Sequence, residues 1–183
     1  TGGLHLAQPV VAAASTPDGN GYWLFARDGR VFSFGDAAFK GSTGGLHLAQ
    51  PVVGGAPTPD GKGYWLFAAD GGVFSFGDAA FEGSLGSTRL ARPIVGGAAT
   101  GDGKGYWLFA ADGGVFSFGD AGFAGSAAGA TTAPVVGGLG TGDGQGYLLV
   151  ASDGSVYPFG DAIGGGSLSR LSLARPVVAV GAG

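Results

Sequence analysis

The sequence predicts an all-β fold, a β-propeller of four blades with four short antiparallel strands each, and three observations carry that prediction. Tyr22, Tyr64, Tyr106 and Tyr147 each follow a glycine at spacings of 42, 42 and 41 residues, and three of them open the string Tyr-Trp-Leu-Phe-Ala. Turn signals cut each repeat into extended pieces too short and too glycine-rich for helix. One piece is apolar on both faces, with Tyr64, Leu66 and Ala68 on one side and Trp65 and Phe67 on the other. A sheet of that kind must be covered on both sides, and radial blades supply a neighbour on either face.

Taken in chain order, full units run Pro9–Gln50, Pro51–Arg92, Pro93–Ala133 and Pro134–Arg175, flanked by partial repeats at 1–8 and 176–183, all within a single domain of 183 residues. In the second unit the predicted strands A to D are Val52–Thr58, Tyr64–Ala69, Val73–Phe76 and Ala80–Ser84. They are separated by Asp60-Gly61-Lys62-Gly63, by Asp70-Gly71 and by Gly77-Asp78, and Asp-Gly between apolar runs predicts a hairpin with a type I′ turn. The glycine pair Gly54-Gly55 suits an innermost strand, where blades converge on the axis. Strand counting leaves a surplus inner strand, because Val10–Ala14, Val52–Thr58, Ile94–Thr100, Val135–Thr141 and Val177–Gly181 serve four B–C–D sets. Such a strand could double an edge, close a ring with further blades, or pair with another chain.

The leading residues 1–8 are identical to Thr43–Gln50, so the chain is expected to begin inside a repeat with another repeat, or part of one, upstream. The fourth unit is degraded, with Leu148 for Trp, Val150 for Phe, Pro158 in strand C and Ile163-Gly164 for Ala-Phe, as a capping repeat would be. A β-trefoil would show three repeats rather than four. Hairpin repeats of the choline-binding or glucan-binding type have a unit of about half this length, and an open stack of hairpins is the remaining alternative.

Composition narrows the function classes. With 42 Gly and 9 Pro the chain has the make-up of a low-complexity segment, but 45% hydrophobic and 12% charged residues are the reverse of disorder. No apolar run is long enough to span a bilayer. The absence of Cys removes disulfides, thiolate zinc sites and cysteine nucleophiles together. A net charge of −4, without any basic run, argues against nucleic acid as partner.

Twelve of the thirteen acidic residues are Asp, at three fixed places per unit, as in Asp60, Asp70 and Asp78. Hard oxygen donors in glycine-rich loops could ligate calcium. The structural alternative, adopted here, is that Asp at a hairpin tip bonds neighbouring amides, so no metal or other cofactor is expected. Hairpin geometry puts Asp60 and Asp78 on one rim and Asp70 away from it. The aromatics Tyr64, Trp65, Phe67, Phe74, Phe76 and Phe81, with their equivalents, are assigned to the blade core, an exposed tyrosine of the Tyr22 set being the expected exception.

Function that is not fourfold must come from residues that differ between repeats. These lie in the D-to-A connections Ser42–Gln50, Ser84–Arg92, Ser126–Ala133 and Ser167–Arg175, which carry His47, Arg89, Arg92, Arg170 and Arg175, with His5 in the matching place of the leader. The B–C turns on the same face add Arg27 and Arg30. The candidate ligand-binding set is therefore Arg27, Arg30, His47, Arg89, Arg92, Arg170 and Arg175, a mixed Arg and Asp face for an anionic sugar or a partner's acidic loop. Catalysis has little to draw on: Glu82 is the single Glu, two His cannot make a three-His metal site, and only Asp pairs remain for acid/base work.

The strings Gly63–Ser84 (GYWLFAADGGVFSFGDAAFEGS) and Pro59–Gly63 (PDGKG) resemble a repeat found in tandem in secreted and cell-surface proteins of high-GC Gram-positive bacteria. The resemblance covers nearly the whole chain. It implies propeller-like blades and an extracellular accessory module, and it brings no catalytic residues. The expectation is a non-catalytic binding or structural module, secreted or at the cell surface, with a glycan or protein of the envelope as partner, no membrane insertion, and self-association through an unpaired strand as a possibility. The alternatives are a glycan-processing hydrolase or lyase using loop Asp residues, and an assembly subunit joined by strand exchange.

Overall fold

The computed structural model describes residues 6–181 and, among them, contains strands but no helix. The strands are β1 (Val10–Ser15), β2 (Gly21–Ala26), β3 (Val31–Gly35), β4 (Val52–Pro57), β5 (Gly63–Ala68), β6 (Val73–Gly77), β7 (Ile94–Ala99), β8 (Gly105–Ala110), β9 (Val115–Gly119), β10 (Val135–Gly140), β11 (Tyr147–Ala151) and β12 (Val156–Phe159). They form four antiparallel sheets, β1-β2-β3, β4-β5-β6, β7-β8-β9 and β10-β11-β12, each a blade of a propeller-like arrangement. The all-β, four-blade fold read from the repeat is the fold observed.

The core lies between blades rather than within them, as the two-faced second strand requires. Tyr64 and Leu66 of β5 pack with Trp23 and Phe25 of the first blade, whereas Trp65 and Phe67 of the same strand pack with Tyr106 and Leu108 of the third. Trp107 and Phe109 continue the pattern against Tyr147 and Leu149. Each buried aromatic removes about 150–250 Å² from water, so these three seams contain most of the apolar burial. The inner strands follow one another as β1, β4, β7 and β10, and among the described residues no comparable packing joins β10 back to β1. The four blades form an open arc.

Inner-strand glycines answer to this stacking. A Cβ on Gly55 would lie 2.9 Å from the Phe25 ring of the preceding blade, and one on Gly138 2.8 Å from Phe109.

Three local expectations are corrected. Each sheet has three strands, not four, because the predicted strand D (Ala80–Ser84) bonds to side chains instead of a ladder. The Trp65 indole N–H donates to Ala80 O at 2.7 Å, the Glu82 amide donates to Tyr106 Oη at 3.1 Å, and the Tyr106 hydroxyl donates to Gly83 O at 2.6 Å. Second, the Asp70-Gly71 hairpin is not type I′. Gly71 alone takes a positive φ, 81°, while Asp70 does not, and the Gly71 amide bonds Ala68 O, giving a type I turn closed by a left-handed glycine. Third, the surplus segment Val177–Gly181 is not a strand. The Val177 amide donates to Ser152 O at 2.9 Å, as Val135 does to Ala111 O, and Val180 meets Gly137, so the segment takes an inner strand's place without a second strand paired to it.

Candidate functional site

The connections between blades dock on the preceding blade's B–C turn, which gathers both on one face as expected. Thr43 N–H donates to Gly29 O, Leu85 to Gly71 O, Ala127 to Gly113 O and Leu168 to Gly154 O. A second set of bonds ties each turn to its own blade and to the following one: the Arg27 amide donates to Pro9 O at the head of the first blade, and Arg27 O accepts from the Val52 amide of β4. The backbone of the turn residue is thereby fixed while its side chain is left to vary, being Arg27, Ala69, Ala111 and Ser152 in the four repeats.

At the first seam this frame encloses a shallow cavity of about 380 Å³ lined by Gln8, Arg27, Asp28, Leu46, His47 and Pro51, with Leu48 at its base. Past the fourth blade, the same frame makes a cavity of about 400 Å³ from Ser152, Asp153, Leu171, Ser172, Leu173 and Pro176. Ser152 stands in the place of Arg27 and Ser172 in that of His47. Both volumes fall within the range usual for small-molecule sites, roughly 300–1,000 Å³. The two cavities thus share a scaffold and differ in chemistry, with an arginine and a histidine at one end of the arc and two serines in their places at the other.

The predicted site residues divide accordingly. Arg27 and His47 meet in the first cavity, and Arg30 joins its rim through an ion pair with Asp28, Nε to Oδ2 3.6 Å. Arg89 and Arg92 are exposed on the connection after the second blade, and Arg170 and Arg175 are exposed on that after the fourth. None of these four lines either cavity, so the seven do not form one cluster. His5 lies outside the described residues. Sequence reasoning missed Gln8 and Asp28 as lining groups; their signal was position, Asp28 beside Arg27 in the turn and Gln8 immediately before the repeat boundary.

The opposite rim holds a fourfold polar network. Thr58 Oγ1 lies 3.0 Å from Asp60 Oδ1 and 3.1 Å from Asp78 Oδ1, and accepts the Gly63 amide at 2.9 Å. Asp60 and Asp78 therefore share one rim, as hairpin geometry required. Thr16, Thr100 and Thr141 hold the equivalent pairs Asp18 and Asp36, Asp102 and Asp120, and Asp143 and Asp161. The threonine hub was the residue missed, although its fixed place two residues before the first Asp of each unit was visible. A Cβ on Gly63 would stand 2.5 Å from Asp78 Oδ1, so the network closes only over glycine.

The Thr16 hydroxyl, with the Asn20 amide and side chain, lowers Asp18 from the ordinary 3.8 to about 2. Lys62 and Lys104 hold Asp60 and Asp102 well below the usual carboxylate range. The B–C turn Asp residues also bond amides, Asp70 accepting Gly72 N–H at 2.9 Å and Asp153 accepting Ser155 N–H at 2.9 Å, which lowers Asp153 as well. Among the described residues no three of His, Asp and Glu come together as a metal would need.

Tyr22 is the exposed tyrosine, at 45% against 0% for Tyr64, Tyr106 and Tyr147. Phe81 is not core. It is 60% exposed, with Phe39 and Phe123 similar, because the backbone on either side of it is held by Trp65 and Tyr106 while its own ring points away from the seam.

Fold and site together define a propeller-like repeat protein with small cavities on one face at its first seam and past its fourth blade. A solved structure, a structural genomics protein of unknown function from Bacteroides thetaiotaomicron, matches it with a TM-score of 0.57 and 16% identity over 84% of this chain. The chain spans 42% of that protein's length, and at this identity the likeness establishes the fold alone. No family model and no curated protein matches the sequence.

Proposed function

We propose that this chain is a non-catalytic binding module that takes an anionic sugar at the first blade seam, through Arg27 and His47, in a secreted or cell-surface setting. The observation that carries this reading is the pair of equivalent cavities: one backbone frame, with an arginine and a histidine beside Asp28 at one end and two serine hydroxyls beside Asp153 at the other. A scaffold that holds its cavity constant while exchanging its lining is suited to recognition by side-chain substitution. Arg27 supplies a planar fork for a carboxylate or sulfate, Asp28 and Gln8 offer acceptors for sugar hydroxyls, and Leu46 and Pro51 supply apolar walls. The extracellular setting rests on the resemblance of the Gly63–Ser84 string to repeats of secreted proteins.

The hydrolase alternative would need two converging Asp side chains in a pocket with no equivalent elsewhere. The converging pairs here recur in all four blades, each bonded to a threonine hydroxyl on the rim away from the cavities. That recurrence supports a structural role. The test is calorimetry with oligogalacturonate as anionic probe and a neutral glucan as control. Binding to the anionic probe that weakens at least tenfold in Arg27→Ala and falls with salt is expected. Equal binding of both probes, or none, would overturn the reading.

A further inference from the structure

We propose, on the same reading of the frame as a recognition scaffold, that the cavity past the fourth blade is a second site and takes an uncharged sugar ring. Its outline repeats that of the first cavity. Ser152 and Asp153 come from the B–C turn, Leu171, Ser172 and Leu173 from the connection docked on it, and Pro176 opens the next repeat unit as Pro51 does. The backbone is held by equivalent bonds. The Ser152 amide donates to Pro134 O at 2.8 Å, Ser152 O accepts the Val177 amide at 2.9 Å, and the Leu168 amide anchors the connection on Gly154 O at 2.9 Å. With its main-chain groups engaged, Ser152 offers the cavity its hydroxyl.

Charge distinguishes the two sites. Each basic residue around the first cavity has a serine in its place at the second: Ser152 for Arg27, Ser155 for Arg30 and Ser172 for His47. The consequence falls on the turn carboxylate. Asp28 is paired with Arg30, Nε to Oδ2 3.6 Å, whereas Asp153 accepts the Ser155 amide at 2.9 Å. That bond, with the Ser155 and Thr132 hydroxyls, holds the Asp153 carboxyl below its ordinary value, so it is ionised at neutral pH. Arg170 and Arg175 lie on the same connection but do not line the cavity.

An anion brought there would meet a carboxylate and find no basic partner among the lining groups. A ligand hydroxyl meets the opposite. An ionised carboxylate has about four lone-pair sites, of which the Ser155 amide takes one, and the bond it accepts from a hydroxyl is roughly twice as strong as one between neutral groups. The two serine hydroxyls can each donate and accept, which suits the further hydroxyls of a sugar. Leu171, Leu173 and Pro176 supply the aliphatic wall that a sugar's C–H face covers. A cation finds less, since Asp153 is the one acidic group in the lining.

The test is an amide-resolved NMR titration of the 183-residue chain, with cellotetraose as the neutral probe and oligogalacturonate as the anionic one. Cellotetraose is expected to shift the amides of Ser152, Asp153 and Ser172 and to leave those of Arg27 and His47 in place. Its affinity should be weaker than that of the anionic probe at the first seam, because no ion pair forms. Ser152→Arg should lower the cellotetraose affinity by at least about tenfold. An arginine already occupies that backbone position in the first blade, so the variant should keep the melting temperature of the chain. Adding Ser172→His should bring oligogalacturonate shifts to the fourth-blade turn, a gain that a merely blocked cavity would not show. Oligogalacturonate shifts at the first seam, with no response of the fourth-blade amides to cellotetraose, would overturn the second site and leave the first standing. Cellotetraose shifts undiminished in Ser152→Arg, or a response of the fourth-blade turn to calcium alone, would overturn it as well. The converse pattern, with cellotetraose shifts at Ser152 and none from oligogalacturonate at Arg27, would uphold the second site and overturn the anionic one.

Discussion

Tyr106 and Tyr22 stand at the same place in their repeats and meet opposite surroundings. Tyr106 is fully buried between Trp65, Phe67 and Phe118, with its hydroxyl bonded to Gly83 O and accepting the Glu82 amide. Tyr22, with an identical local sequence, lies against Phe34 alone and is nearly half exposed. The difference teaches where the stability of this architecture resides. A blade of three short strands covers neither of its faces, so the unit that pays back chain entropy is the seam between two blades, and a residue counts according to whether its seam is filled.

The largest effect expected from breaking that comparison is at a fully buried side chain of the middle seam. Trp65→Ala removes the wall on which Tyr106 rests and the donor to Ala80 O, and should destabilise the chain by about 3–5 kcal/mol, read from denaturant midpoints. Thr100→Val comes next. It leaves the Gly105 amide and the facing oxygens of Asp102 and Asp120 without their shared partner, at a cost of roughly 1–3 kcal/mol. Tyr106→Phe keeps the ring and removes only the hydroxyl, for about 1 kcal/mol, and the Glu82 amide should then exchange faster by NMR.

The smallest effect is the dependence on pH. Asp18, Asp60, Asp102 and Asp143 on the rim have folded pKa values below their unfolded ones, so their contribution is present above about 4 and is lost as pH falls; for Asp18 the loss runs from 3.8 to about 2. Burial pushes Tyr64, Tyr106 and Tyr147 up from 10.0, so theirs is present below that value and is lost as pH rises beyond it. Melting temperature should be flat between these limits, and Asp18→Asn should flatten the acid limb. An acid limb unchanged by that substitution would mean that the rim network is not its source.

The sequence made the blade repeat, the two-faced second strand and the shared rim of Asp60 and Asp78 legible, because each depends on local spacing. It did not reveal that the Ala80–Ser84 segment leaves the sheet. That outcome depends on Trp65 in the same blade and Tyr106 in the next competing for its backbone groups, a tertiary effect that no window of one repeat contains. For the same reason Phe81 read as core from alternation and is exposed. At the candidate site, the sequence placed Arg27 and His47 on one face among seven candidates, and these two line one cavity, since the connection and the turn are both short. Arg89, Arg92, Arg170 and Arg175 were grouped with them by face alone, and the arc separates them by seam.

The most direct test of the seam as the stabilising unit is the same substitution made at its filled and unfilled ends. Tyr106→Ala and Tyr22→Ala should be melted side by side in guanidinium at micromolar concentration. Filled seams holding the arc together predict a loss of about 3–5 kcal/mol at Tyr106 and of less than about 0.5 kcal/mol at Tyr22. Equal losses at the two positions would contradict it, because they would place the tyrosine's contribution inside the blade rather than between blades.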